Sequence, residues 1–328
     1  MPPTLSSAIE LFFSRSTGPG MSVRHLLVPT DFSPHAGAAL RHALALAEAF
    51  NATVRLLHVV NDPRAGGYGL GDAYVQVDQW RSAAEAEARA RLEELADASD
   101  GPTVRTDVVE RAQLDVADAI AEYTERFPID LVVMGTHGRE GVGRLVLGSV
   151  ANALIRRSAC PVMTVRDRDE DENQTAAPGA YETLLAPIDF SEHSRRALHL
   201  AKEIAHPYGA TRHLLFVAEK RVLPTFSDTG LPGVGVVEMD PEIVENAAEA
   251  LEAFDNHVDG PAGPCACHVV EGDVAATIVE FAEANRADLI VMATRGLTGI
   301  DRFVLGSNTE RVVRRAPCPV LTVPPRDA

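Results

Sequence analysis

The residues with the clearest chemical spacing lie in one stretch, GTHGREGVGRLVLGSVAN at 135–152. Gly135 and Gly138 are separated by two residues, and nine more lead to Gly148 and Ser149, where a helical pattern opens. Glycine lets a backbone approach a ligand closely. Clustered amides at a helix start present partial positive charge to an anion. The Ser149 hydroxyl adds a donor, and Arg139 and Arg144 put cationic charge inside the same loop. Such a loop can cradle phosphate oxygens; the alternative is a tight turn that holds no ligand. His137 sits within it, and an exposed loop histidine needs no partner.

A second group ends the apolar run before it, Pro29, Thr30 and Asp31. Ser33 followed by Pro34 is the pattern of a helix start, with the hydroxyl capping an amide and proline where no donor is needed. Asp31 is therefore either a ligand carboxylate or a turn carboxylate that accepts backbone amides. In open α/β sheets the ligand crevice forms where the winding direction reverses, at the carboxyl ends of strands. The two groups should meet there.

The elements that would position them repeat. LLVPTDFSPH at 26–35 matches LLAPIDFSEH at 184–193, VMGTHGREGVGRLVLGS at 133–149 matches VMATRGLTGIDRFVLGS at 291–307, and CPVMTV at 160–165 matches CPVLTV at 318–323, always shifted by 158 residues. Two copies of one domain fit the 328-residue length. We expect an extension at 1–21, a first domain at 22–166, a polar linker at 167–181 and a second domain at 182–325. In the first copy apolar runs at 25–28, 53–60, 104–109, 131–134 and 162–165 predict five parallel strands. Helices fall between them on both faces, including a polar one over 78–98.

A net charge of −17 opposes general affinity for nucleic acid or anionic membrane. No apolar run approaches the ~20 residues of a membrane helix. Four cysteines, with no secretory signal ahead of them, suit a cytoplasmic protein rather than a disulfide framework. CACHVV at 265–270 reads as a half-buried strand in preference to a metal cluster, and Cys160 and Cys318 as packing residues. The chain has no G-x4-GK[ST] loop and no Ser, His and acid set placed for nucleophilic work, so any turnover of a bound phosphate ligand is expected to be at most slow hydrolysis.

The pattern G-x2-G-x9-G-[ST], set in two full-length repeats, resembles the ATP-binding members of the universal stress protein family. The resemblance implies two open five-stranded parallel sheets that pair through their last strands as an internal pseudo-dimer, covering two sheet edges. It implies an adenine wall of Pro29, Thr30 and Val59, with Asp31 beside the adenine or ribose. Met134, Gly135, His137, Gly138, Gly148, Ser149 and Val150 would line the rest of the site. The ligand would be ATP, with ADP and AMP as alternatives, and Mg²⁺ would accompany it.

The second copy would use Pro187, Asp189, Val217, Arg295, Gly296, Gly306 and Ser307, but carries Ala293 where the first glycine stands. If that position needs a left-handed backbone, alanine costs about 1 kcal/mol or more and weakens the site. The implied role is a nucleotide-dependent stress regulator, against a nucleotide-independent scaffold for an unknown protein partner. A homodimer of chains is a further option. The segments 61–78 and 219–240 differ most between copies and are the places for partner specificity.

Overall fold

The computed structural model describes residues 23–61, 72–99, 101–111, 115–136, 147–166, 179–219, 221–226, 232–237, 241–295 and 305–325. The first copy runs β1 (His25–Pro29), α1 (Pro34–Phe50), β2 (Thr53–Asn61), α2 (Asp72–Asp97), β3 (Val104–Arg111), α3 (Val116–Arg126), β4 (Leu131–Gly135), α4 (Ser149–Arg157) and β5 (Val162–Val165). The second repeats it as β6 (Thr183–Pro187), α5 (Glu192–Tyr208), β7 (Thr211–Glu219), α6 (Pro241–His257), β10 (Cys265–Gly272), α7 (Val274–Ala284), β11 (Leu289–Ala293), α8 (Ser307–Arg315) and β12 (Val320–Val323). The second copy adds an antiparallel hairpin after β7, with strands β8 (Arg221–Phe226) and β9 (Pro232–Val237). It falls in one of the two segments that differ most between the copies.

Each copy forms a five-stranded parallel half-sheet, and the halves fuse into one sheet of order β10-β7-β6-β11-β12-β5-β4-β1-β2-β3. Every neighbouring pair is parallel except β12 with β5. There Met163 faces Leu321, its own counterpart at the 158-residue shift, so a pseudo-twofold axis passes between them. Thr164 donates its hydroxyl to the Val320 carbonyl at 3.2 Å, and Thr322 returns the bond to Val162 at 3.0 Å. The four-residue strand VMTV is buried throughout because it is central in the fused sheet.

One core cluster lies on the face covered by α1 and α5, and runs unbroken through Met163, Val165, Leu321 and Val323. The other joins Ile120, Leu154, Ile278 and Val312 from α3, α4, α7 and α8. The helix expected from 78 begins earlier, at Asp72. It buries Ala88 and Leu92 and is otherwise largely polar, with Glu87 and Arg91 one turn apart at 4.0 Å.

The chain crosses between copies under close constraint. Gly179 has φ +87°, and a Cβ there would stand 2.0 Å from the Ala45 side chain of α1. Tyr181 follows, fully buried, with its hydroxyl 3.0 Å from His42 Nδ1 and its ring edge-on to Tyr208 at 5.2 Å. Tyr208 donates to the Ala45 carbonyl at 3.3 Å. Residues of α1, α5 and the linker's end thus meet on one side of the seam.

Burial, aided by Arg41, pushes His42 down to about 4. An unfolded histidine takes its proton near 6.5, so the neutral folded form contributes stability that is whole above that pH and is lost as pH falls towards 4. We expect unfolding free energy to fall by up to about 3 kcal/mol over this window through His42 alone. The His42→Gln variant, compared by urea titration at pH 7 and pH 4.5, should show a smaller drop than the parent.

Candidate functional site

The winding reverses between β1 and β4, which are direct neighbours with Leu26 opposite Leu131. Beyond β1 the chain turns sharply. Thr30 is buried, its amide donates to the Leu57 carbonyl at 2.8 Å, and its hydroxyl accepts from the Phe32 amide at 3.0 Å. Asp31 Oδ1 accepts from the Ser33 amide at 3.0 Å, so the carboxylate does make the turn bond that was the second alternative for it. Ser33 caps α1 by accepting from the Ala36 amide, with Pro34 in the first turn, as the Ser-Pro pattern predicts.

Phe32 has φ 63°, a left-handed backbone that bulky side chains rarely adopt, and Phe190 in the second copy has φ 60°. Strain of this kind persists only where neighbours hold it. In the first copy the Phe32 ring lies 4.7 Å from the His58 ring, and the Arg91 guanidinium sits over it at 4.2 Å. His58 Nδ1 also donates to the Thr30 carbonyl at 2.7 Å. In the second copy Phe190 packs on Phe216 and Phe254 at 5.2 and 5.5 Å instead. The signal in the sequence was the DFS triplet kept in both repeats; the residues that hold the strain lie on β2 and α2, out of reach of local reading.

Beyond β4, Thr136 donates to Val165 at 2.9 Å and accepts from the Gly148 amide at 2.8 Å. That second bond closes the base of the loop between them. Gly148 is the N-cap of α4 and has no side chain with which to cap the first amides of the helix. Ser149 is exposed at this opening. The second copy repeats the device with Thr294, Gly306 and α8, again with no side-chain cap.

The two groups do come together. A Cβ on Gly135 would lie 2.9 Å from the backbone carbonyl carbon of His35 in the first turn of α1. Gly135 is not among the described glycines with positive φ, so close approach, not a left-handed backbone, demands glycine there. This corrects the conformational reason expected for the cost of Ala293. Ala293 is itself buried, and its carbonyl accepts from Thr309 of α8 at 3.1 Å, where the first copy has Ala151.

Other expected residues divide. Pro29 and Thr30 are buried at the crevice, and in the second copy Pro187 and Asp189, both partly buried, hold the places of Pro29 and Asp31. Asp189 Oδ1 accepts from both the amide and the hydroxyl of Ser191, at 3.0 and 2.6 Å. Val59, Val150 and Val217 are partly buried against the core, and Met134 is buried within it. His137, Gly138 and Gly296, with Arg139 and Arg144, lie outside the described residues. In the second copy burial lowers the pKa of His193, and Arg295 lowers it further.

A family model described as the universal stress protein family matches residues 22–166 and again 180–324. The chain belongs to the universal stress protein family. A universal stress protein of Mycolicibacterium smegmatis is 27% identical over 317 residues, covering 92% of this chain and 97% of that protein. Universal stress protein MJ0531 of Methanocaldococcus jannaschii is 38% identical over 144 residues, 44% of this chain and 82% of the relative. The fold is similar to the crystal structure of a universal stress protein from Archaeoglobus fulgidus, with TM-score 0.65 and 20% identity over 93% of this chain and 99% of that one.

In this universal stress protein, the substitution Gly135→Ala should force α1 and β4 apart and cost about 1–3 kcal/mol, the usual scale for overpacking. Ala293→Gly in the second copy should cost less, about 1 kcal/mol or below. Denaturant titration of the two variants checks the pair.

Proposed function

We propose that this protein binds an adenine nucleotide in the first-copy crevice, more weakly or not at all in the second, and acts as a nucleotide-dependent regulator in a stress response. The observation that carries the reading is the base of the first loop. The Gly148–Thr136 hydrogen bond delivers the chain directly to an α4 N-terminus with no side-chain cap, beside the β1–β4 switch point. Unsatisfied amides at a helix start suit a phosphate, and the full Gly135, Gly138, Gly148, Ser149 pattern precedes them.

ATP is the ligand we favour over ADP and AMP, with Mg²⁺ as the counterion of the phosphates and Asp31 as the carboxylate at the crevice mouth. The chain's own groups would orient the ligand: amides and Ser149 at the phosphates, Pro29, Thr30 and Val59 near the base. The second site is weaker in this reading because Ala293 and the Thr309 bond occupy the end of β11. The output is a change in the segments 61–78 and 140–147 that alters partner engagement in the cytoplasm.

Calorimetric titration with ATP and Mg²⁺ tests the assignment. Gly148→Arg should abolish binding, with at least a tenfold loss of affinity, about 1.4 kcal/mol, whereas Gly306→Arg should change it little. No heat with the unmodified protein would instead leave a nucleotide-independent scaffold. Hydrogen exchange in 61–78 and 140–147 that is unmoved by saturating ATP would remove the regulatory coupling.

A further inference from the structure

The fused sheet ends in two edges that are built differently. Its order closes on β3 at one end and on β10 at the other, and among the described residues each is hydrogen-bonded to a single strand, β2 and β7 respectively. In a parallel ladder the backbone groups of successive residues point alternately to the two sides of the strand. The Arg212 amide donates to the Pro264 carbonyl at 3.0 Å, which fixes that alternation, so Ala266, His268 and Val270 turn their amides and carbonyls to β7. Cys265, Cys267, Val269 and Glu271 turn theirs outward. By the same reasoning the Val54 amide, which donates to the Thr103 carbonyl at 2.9 Å, leaves Val104, Thr106, Val108 and Glu110 facing outward on β3.

The side chains along the two edges differ. Strand β3 reads VRTDVVER, with Arg105, Asp107, Glu110 and Arg111 spread along it. Arg55 holds Asp107 at 3.0 Å, and Arg81 of α2 stands 4.0 Å from Glu110. Charge along an edge opposes the addition of another strand. Strand β10 reads CACHVVEG and carries neither a formal charge nor a proline from Cys265 to Val270. His268 is no exception at neutral pH, since burial lowers its pKa and its ring nitrogen lies 3.0 Å from that of His213. Cys265 is exposed and the rest of the strand is only partly buried, whereas β11 and β12 inside the sheet are buried throughout.

We propose that β10 pairs antiparallel with β10 of a second chain, joining two ten-stranded sheets about a twofold axis at Cys267. An edge that pairs with itself about a twofold closes both open rows at once and leaves none to extend the assembly. The chain already makes one joint of this kind, β12 against β5 about the pseudo-twofold.

Charge selects the place. Two chains that each carry a net charge of −17 repel one another, so close association needs a stretch that brings no like charges face to face. Strand β10 supplies it. With the axis at Cys267, Cys265 lies opposite Val269 of the second chain, Cys267 lies opposite its own counterpart, and Glu271 falls beyond the uncharged run, level with Gly263. Cys265, Cys267 and Val269 are the residues whose backbone groups face outward, so each pair can exchange two hydrogen bonds.

This gives the second copy a role that the first does not have. In the joined sheet the second-copy crevices flank the joint, while the first-copy crevices, at the β1–β4 switch points, stand towards the far ends. The inference rests on the sheet edge alone and holds whether or not either crevice takes a nucleotide.

Sedimentation velocity of the full chain over a concentration series tests it, and should show a monomer–dimer equilibrium. Hydrogen exchange at low and high chain concentration should slow in 265–271 as concentration rises and stay constant in 104–110. Val269→Pro removes an outward amide and spares the ladder to β7. The twofold doubles that loss, so the dissociation constant should rise about tenfold or more. The matching change on the other edge, Val108→Pro, should leave it unaltered. The proposal is overturned by a chain that stays monomeric at about 100 μM, by a dimer whose concentration-dependent protection falls on 104–110 or 221–237, or by a dissociation constant that Val269→Pro leaves unchanged. The exchange pattern of the unmodified chain decides the matter even if a proline variant fails to fold.

Discussion

The antiparallel pairing of β5 with β12 is the contact on which the rest of the molecule depends. Each copy alone would expose its fifth strand as an open row of amides and carbonyls, an edge ready to recruit any other strand. Joining the two edges satisfies both rows at once. It also extends one hydrophobic layer across the whole chain, since Met163 and Leu321 meet at the pseudo-twofold and belong to the same core as α1 and α5. The threonine hydroxyls at 164 and 322 bond across the seam as a symmetric pair, so the polar atoms buried there have partners.

With the seam in place, both crevices inherit the same backbone construction. Each has an Asx turn after its first strand, a phenylalanine in the left-handed region, and a loop base closed by a threonine carbonyl and a glycine amide. What differs is the side-chain support. Arg55, Asp107 and Tyr123 of the first copy form a charged cluster, with Arg55 3.0 Å from Asp107. At the matching positions of the second copy stand His213, His268 and Phe281, two imidazoles 3.0 Å apart against a ring. The second copy instead places its buried charges around Asp255, between Lys202 and Arg212. Duplication preserved the backbone geometry and let the residues that stabilise it diverge.

Much of this was legible from residue order. The strands, the Ser33–Pro34 helix start and the repeat follow from periodicity, capping chemistry and the 158-residue shift, and the pairing of the last strands from the family resemblance those residues carry. Those signals act over a few residues or recur in both copies, and local sequence carries both kinds. The hairpin β8–β9 was less accessible, because 221–237 lies in a segment whose sequence does not repeat between the copies.

Sequence by itself determined the architecture and the glycine pattern, since each strand's alternation and each cap is a property of neighbours along the chain. Only the tertiary structure decided why Gly135 must be glycine: the backbone of His35, a hundred residues earlier, occupies the space of its Cβ. The same holds for Phe32, whose strained turn is held by His58 and Arg91, and for Gly179, fitted against Ala45. Close approach between segments distant in sequence is set by how helices pack on a shared sheet, and no local pattern records it.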